Sequence, residues 1–229
     1  MELAPGLKLV IQNLGARAQS EQRPVPALLW DALRRRLWYR REKRIYLFET
    51  ERVPTLPTSQ TLRRDHLDDL RFYERTALWQ MAPDQYRTEA CLRLARGEHL
   101  YTLVQQNRLL HYAWLIPCHT RGEDQAVGQA FVPPPGSSGL YDHFTHPAAR
   151  GRGLFYQAIC QLLHDVVRLT EAQQAYISVY ADNGPSRHVI EKVGFRYAGS
   201  LVQERRLWAV RRYDLPAVET WRAERLGQA

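Results

Sequence analysis

Apolar positions change period several times along this chain, and each change marks the border of a predicted element. Leu154, Ala158, Leu162 and Val166 recur every four residues, with Phe155, Ile159, Leu163 and Val167 beside them, which predicts one amphipathic helix over about 153–170. Short apolar runs before and after it predict strands at 140–145 and 175–180. A strand, a crossover helix and a second strand imply a parallel pair with a right-handed connection. Further on, a helix over about 185–193 and a pair of strands within 195–213 follow. Upstream, the pattern predicts a short strand at 61–63, then a helix capped by Asp65 that carries Leu67, Leu70, Tyr73 and Ala77 on one side and ends near Trp79. A second helix runs from about Asp84 to Arg96 and stops at Gly97. Strands at 99–104 and 109–117, separated by Gln105-Gln106-Asn107-Arg108, form a hairpin, and 133–139 is a Pro/Gly/Ser loop.

The first sixty residues have another character. They predict a strand at 7–11, a polar connector at 19–26, a helix over 26–41 carrying Trp30, Leu33 and Leu37, a strand at 45–48 and a linker at 54–59. The domain expectation is an extension over 1–60 packed on a main domain of 61–215, with a tail at 216–229. The fold class is α/β, a mixed sheet with helices on both faces.

The chain has 229 residues, 45% hydrophobic and 24% charged, so it can bury a sizeable core without staples. Its three cysteines, Cys91, Cys118 and Cys160, stand singly and argue against a disulfide scaffold or a structural zinc site. No apolar run reaches the roughly 20 residues of a membrane-spanning helix, and the start lacks the pattern of a secretory signal. A cytoplasmic protein without membrane insertion is expected. The net charge is +8, and only Lys8, Lys43 and Lys192 are lysines, so the cation of this chain is arginine, whose planar fork suits phosphate and carboxylate.

Candidate chemistry centres on Thr145-His146-Pro147-Ala148-Ala149-Arg150-Gly151-Arg152-Gly153-Leu154, where a strand gives way to the long helix. Unpaired amides and the positive dipole end of a helix attract an anion, and glycines let the main chain approach it. A second segment follows about 30 residues later. There Asn183-Gly184-Pro185-Ser186 opens a helix that closes on Glu191-Lys192-Val193-Gly194-Phe195. Taken alone, each is satisfied by a capped helix start or a glycine stop.

Together the two segments resemble the GNAT superfamily of acyl-CoA-dependent N-acyltransferases. Arg150 to Gly153 is similar to the start of that family's R/Q-x-x-G-x-G/A loop, and Asn183, Ser186 and Gly194-Phe195 match its second segment. The likeness spans about 61–213 in element order and 140–195 in motifs. It implies a partly splayed sheet, acetyl-CoA or another acyl-CoA as co-substrate, and an amine acceptor. It further implies cofactor contacts from Phe144, Thr145, Arg150, Gly151, Arg152, Gly153, Leu154, Asn183 and Ser186. Two departures stand out. Phe155 occupies the last Gly/Ala position of the loop, and Ile190 the place of the tyrosine that often protonates the leaving thiolate.

Tyr141, Asp142 and His143 lie on the strand feeding the loop and are the catalytic candidates, with Asp142 or His143 as base or proton relay. Alternation puts Tyr141, His143 and Thr145 on one face and Leu140, Asp142 and Phe144 on the other, unless a bulge intervenes. The structural alternatives are a hydrogen-bonded strand histidine and an Asp142–arginine ion pair. Tyr180 and Tyr197 are replacement acids or core aromatics. His111, His143, His146 and His164 show no ligand spacing, so no metal is expected. The run Arg34 to Arg36 with Arg40, Arg41 and Arg44 reads as a solvated helix face, with no nucleic-acid partner expected. The stretch 140–153 also resembles GNAT proteins associated with bacterial surface-polysaccharide synthesis, which implies an amino-sugar acceptor. The rival readings are a non-catalytic CoA-binding or protein-interaction module and nucleic-acid binding. The extension is expected to add a strand and a helix around the acceptor side or an oligomer contact, and a homodimer is the oligomer considered.

Overall fold

The computed structural model describes residues 24, 26, 30, 38–58, 60–77, 79–118, 122–124, 128–131 and 133–216. Expectations for 7–11, Arg34 to Arg36 and 217–229 lie outside these residues. The chain divides into a small unit of 1–41 and 202–213 and a large one of 42–201 and 214–229.

Eight strands form one sheet, in the order β10-β9-β1-β8-β7-β4-β3-β2. Their bounds are β1 Trp38–Glu49, β2 Arg63–Arg64, β3 His99–Gln105, β4 Arg108–Ile116, β7 Ser138–Thr145, β8 Gln174–Tyr180, β9 Arg196–Arg206 and β10 Ala209–Pro216. A separate two-stranded ribbon joins β5 Gly122–Asp124 to β6 Gln129–Phe131. The three α-helices are α1 Pro83–Ala95, α2 Leu154–Leu169 and α3 Gly184–Val193. This is the mixed, splayed α/β architecture expected.

Most of the predicted elements form, because each buries the face that its pattern offers. Ala158, Ile159, Leu162, Leu163 and Val166 of α2 are completely buried. At about 1.5–3 kcal/mol for each large aliphatic side chain, this face alone holds the helix to the sheet. The β3–β4 hairpin turns at Gln106 and Asn107, both with positive φ, as two-residue hairpin turns require.

Two expectations change. The helix over 65–79 shrinks to a 3-10 segment at Leu67–Phe72. Asp65 does not cap it; its φ is +60°, and its carboxylate accepts from the Leu100 amide at 2.9 Å and meets His99 Nδ1 at 2.8 Å. Pairing between strands thus takes the group that a helix start would have used. At 38–41 the chain is strand, not helix, because β1 begins at Trp38.

β1 is an interior strand. It pairs antiparallel with β8 over Lys43↔Tyr180 to Glu49↔Gln174, and buries Tyr46 and Phe48 among the residues beneath α2. A second cluster, with Tyr86, Ala90, Tyr112, Trp114 and Phe144, fills the other face under α1.

Candidate functional site

The site is built where two parallel strands part. β7 and β8 pair at Ser138↔Ala175, Gly139↔Tyr176 and Leu140↔Ile177, and no pairing is made beyond Leu140. From Tyr141 to Thr145, β7 therefore has no partner in β8, although β8 continues to Tyr180. The backbone groups on that edge face the opening fork.

β7 is also irregular on its other side. Tyr112 pairs Phe144 and Trp114 pairs Tyr141, so β7 carries one residue more than β4 across this interval. The extra residue turns at Asp142, whose φ is +48°. Such a bulge shifts which side chains share a face. Tyr141, Asp142 and Phe144 face α1, while Leu140, His143 and Thr145 face α2. Plain alternation would have paired Asp142 with Leu140, and the bulge overturns it.

On the α1 side, Asp142 receives Arg93 Nη1 at 2.6 Å, and Glu89 receives Arg93 Nε at 3.0 Å. The Arg93 guanidinium also lies over the rings of Trp114 and Tyr141, each centroid 5.0 Å away. Burial alone would lower the basicity of Arg93, but the charges of Asp142 and Tyr141 and the hydrogen bonds to Asp142 and Glu89 raise it, so it stays cationic. The hydroxyl of Tyr141 donates to Glu98, and burial raises its pKa. Asp142 is thus the ion-paired carboxylate that the sequence left open, held by an arginine 49 residues away.

On the α2 side stands His143. Both of its ring nitrogens are buried without a hydrogen-bond partner, and burial, with His111 nearby, keeps its pKa well below the ordinary value. It is neutral at pH 7. Its ring meets Phe155 edge-on at 5.1 Å and His111 at 6.0 Å. His111 is completely buried; its Nδ1 lies 2.9 Å from Thr145 Oγ1 and its Nε2 has no partner. Burial lowers its pKa to about 3. His111 was considered in the sequence only as a metal ligand; its place beside Thr145 depends on β4–β7 register, which no local signal encodes.

Past Thr145 the chain makes a 3-10 turn, Pro147–Ala149, and enters α2 through Gly151 and Gly153. Their φ values of +76° and +74° are open to glycine and costly to other residues. No side chain caps α2 at Gly153, so the amides of Leu154, Phe155 and Tyr156 point outward without intrahelical acceptors. Arg150 and Arg152 are exposed beside them. The Phe155 ring turns to the two histidines, away from the glycine turn. Leu154 packs against the core. Phe144 stacks on Tyr112, which leaves only its backbone for the fork.

Across the fork, α3 begins at Asn183, whose Oδ1 accepts from the Ser186 amide at 3.2 Å. Ile190 is completely buried in the core. Tyr197 bonds Ser200 and packs on Tyr46, and β8 and β1 both stand between its strand and β7. At about 4.8 Å per strand, that separation removes it from the fork. Tyr180 ends β8 and is 41% exposed. Among the described residues no group of His, Cys, Asp and Glu is arranged to hold a metal ion.

The family model for the acetyltransferase (GNAT) domain matches residues 60–196. The chain belongs to the GNAT family. No curated protein matches it. Among solved structures, a GNAT acetyltransferase from Colwellia psychrerythraea is similar at TM-score 0.51 and 17% identity, over 73% of this chain and 56% of that one. A functionally unknown conserved protein from Staphylococcus epidermidis ATCC 12228 gives 0.48 at 8%, over 77% and 66%. A GCN5-related N-acetyltransferase from Sphaerobacter thermophilus gives 0.48 at 9%, over 82% and 56%. This GNAT chain thus spans less than two thirds of each of these solved proteins. The first likeness shows the fold.

The residues present fit a diphosphate-bearing thioester. An uncapped helix start would offer amides to a diphosphate, the unpaired edge of β7 would offer backbone groups to an extended arm, and the nitrogens of His143 lack partners.

Proposed function

We propose that this GNAT protein transfers an acetyl or other short acyl group from acyl-CoA to an amine. The observation that carries the reading is the fork itself: β7 leaves β8 after Leu140, and the freed stretch runs directly into the uncapped, glycine-turned start of α2. The amides of Leu154 to Tyr156 and the helix dipole stabilise the diphosphate, with Arg150 and Arg152 as nearby cations. The backbone of Phe144 and Thr145 lines the arm, and Asn183 and Ser186 stand on the far wall.

Acyl-CoA supplies an activated thioester when bound. The chain's part is to orient it, to offer strand amides to the oxygen that gains charge, and to take a proton from the attacking amine. His143 is the relay we assign, because it is neutral and both of its nitrogens are unpartnered. Asp142 and Tyr141 act on the acceptor side. Asp142, already held by Arg93, orients the acceptor, and Tyr141, held by Glu98, shapes the wall.

The acceptor we favour is an amino sugar, as in surface-polysaccharide synthesis. Trp79 supports this: it is 72% exposed and meets Phe144 edge-on at 6.0 Å, an aromatic face open to a sugar ring. A cytoplasmic location goes with this reading, since acyl-CoA is a cytoplasmic metabolite.

Calorimetry with acetyl-CoA and CoA on wild type, Gly151→Glu and Asn183→Ala tests the cofactor site. Gly151→Glu sets a carboxylate against the phosphates and should abolish binding; unchanged affinity would remove the reading. A panel of amines that includes amino sugars, scored by released thiol, tests transfer. Saturable binding with no thiol released from any of them would leave a non-catalytic CoA-binding module.

A further inference from the structure

We propose that the hairpin of β9 and β10 rests its tip on an anionic lipid bilayer, as a peripheral contact separate from the transfer site. The tip is Leu207-Trp208, 51% and 86% exposed. Leu207 has φ +56°, where glycine or asparagine would sit without strain. The turn therefore presents a bulky apolar pair to solvent from a backbone conformation that favours glycine, and an outside surface could cover it.

The surroundings say what kind of surface it fits. Arg205 and Arg206 precede the tip, and Arg211 and Arg212 follow it. Across 38–41 and 202–213, which all belong to the small unit, there are six arginines and one acidic residue, Glu204. Glu204 pairs with Arg206 at 3.1 Å. Arg205 lies over the Tyr39 ring at 5.6 Å, and Arg211 has no ion-pair partner among the described residues. At about 3.3 Å per residue along a strand, the nearer arginines stand one or two residues behind the tip. The headgroup layer is of the order of 6 Å deep on each side of the hydrocarbon. Leucine and tryptophan can therefore reach the acyl boundary while guanidinium groups remain at phosphate level, the arrangement that interfacial anchors use.

Two other occupants fit less well. A nucleic acid would use the arginines and the tryptophan, but offers no partner for Leu207. A second copy of the chain needs roughly 800 Å² per partner, far more than two residues supply. No helix among the described residues is long and apolar enough to cross a membrane, so the contact is superficial.

The test is co-sedimentation of the full chain with vesicles of phosphatidylcholine alone or of equal parts phosphatidylcholine and phosphatidylglycerol. Wild type should sediment with the anionic vesicles at low salt, less at high salt, and weakly with the neutral ones. The double variant Leu207→Ser/Trp208→Ser, whose circular dichroism should match wild type because both side chains are exposed, should partition at least about tenfold less. Arg211→Glu/Arg212→Glu should also release the protein. No vesicle binding by wild type overturns the proposal. So does equal binding by the tip variant, which would leave a purely electrostatic patch. Retention on an oligonucleotide with no vesicle binding, or a concentration-dependent dimer that the tip variant loses, overturns it in favour of those partners.

Discussion

Arg93 Nη1 donates to Oδ2 of Asp142 at 2.6 Å, tying the last full turn of α1 to the bulge of β7. Asp142 and His143 lie on opposite faces of the sheet, as neighbours in a strand do. Asp142 is held by a cation under α1, and His143 is left without hydrogen bonds under α2. Strand alternation alone would set these two neighbours apart; what the bulge adds is that Tyr141 joins Asp142 under α1 instead of lying with His143.

Replacing Arg93 by Met should destabilise the protein by about 2 kcal/mol, because the partly buried Asp142 loses its cation and Glu89 one of its two. Asp142→Asn should cost less, since the amide still accepts from Arg93. Urea midpoints of the two variants check the order; equal losses would mean that the ion pair does not hold the bulge.

Acid should weaken the fold earlier than carboxylate titration accounts for. His111 titrates at about 3 when folded and His143 is shifted in the same direction, against about 6.5 in the unfolded chain. Below pH 6.5 the unfolded state takes up protons that the folded state refuses, so stability is complete above that pH and falls as pH drops. At pH 5 the loss from His111 is about 2 kcal/mol, and His143 adds to it in the same direction. Denaturation at pH 7.5 and 5.0 measures it, and His111→Gln should flatten the difference. A wild type equally stable at both values contradicts the placement of these rings.

Gly139, at the last pairs before the fork, has no room for a side chain. A Cβ there would lie 2.6 Å from the hydroxyl oxygen of Tyr176 and 2.8 Å from its ring carbon. Gly139→Ala should cost about 2 kcal/mol by overpacking. Combined with Tyr176→Leu it should cost less than the two changes summed, a coupling that a double-mutant cycle reads directly. Strict additivity would show that the two residues do not touch.

Gly153 differs in kind. Its Cβ would meet nothing closer than 4.0 Å, yet φ is +74°, so backbone strain rather than space penalises substitution. Gly153→Ala should lose about 1 kcal/mol and Gly153→Asn less, since asparagine tolerates this region. Thermal melts rank them. If alanine and asparagine melt together, the turn has rearranged and its role in presenting the α2 amides falls with it.

Local pattern was enough for most elements, because helix and strand periods follow from how a chain buries one face. The four-residue repeat from Leu154 gave α2, and the polar turn at 105–108 gave the β3–β4 hairpin. The pattern failed at 65–79, where Leu67, Leu70 and Tyr73 have helical spacing but Asp65 is used by β3. It was also silent on Trp79 meeting Phe144, a contact between residues 65 positions apart.

The amino acids alone determined the glycine turn, the arginine-borne charge, the two spaced segments and the absence of tyrosine at 190, since each is a matter of residue identity and short spacing. Folding decided which groups face one another. The bulge at Asp142, the parting of β7 from β8, the Arg93 ion pair and the meeting of His111 with Thr145 all depend on register between strands distant in sequence. Register is set by the sum of many weak contacts across the sheet, and no single residue announces it.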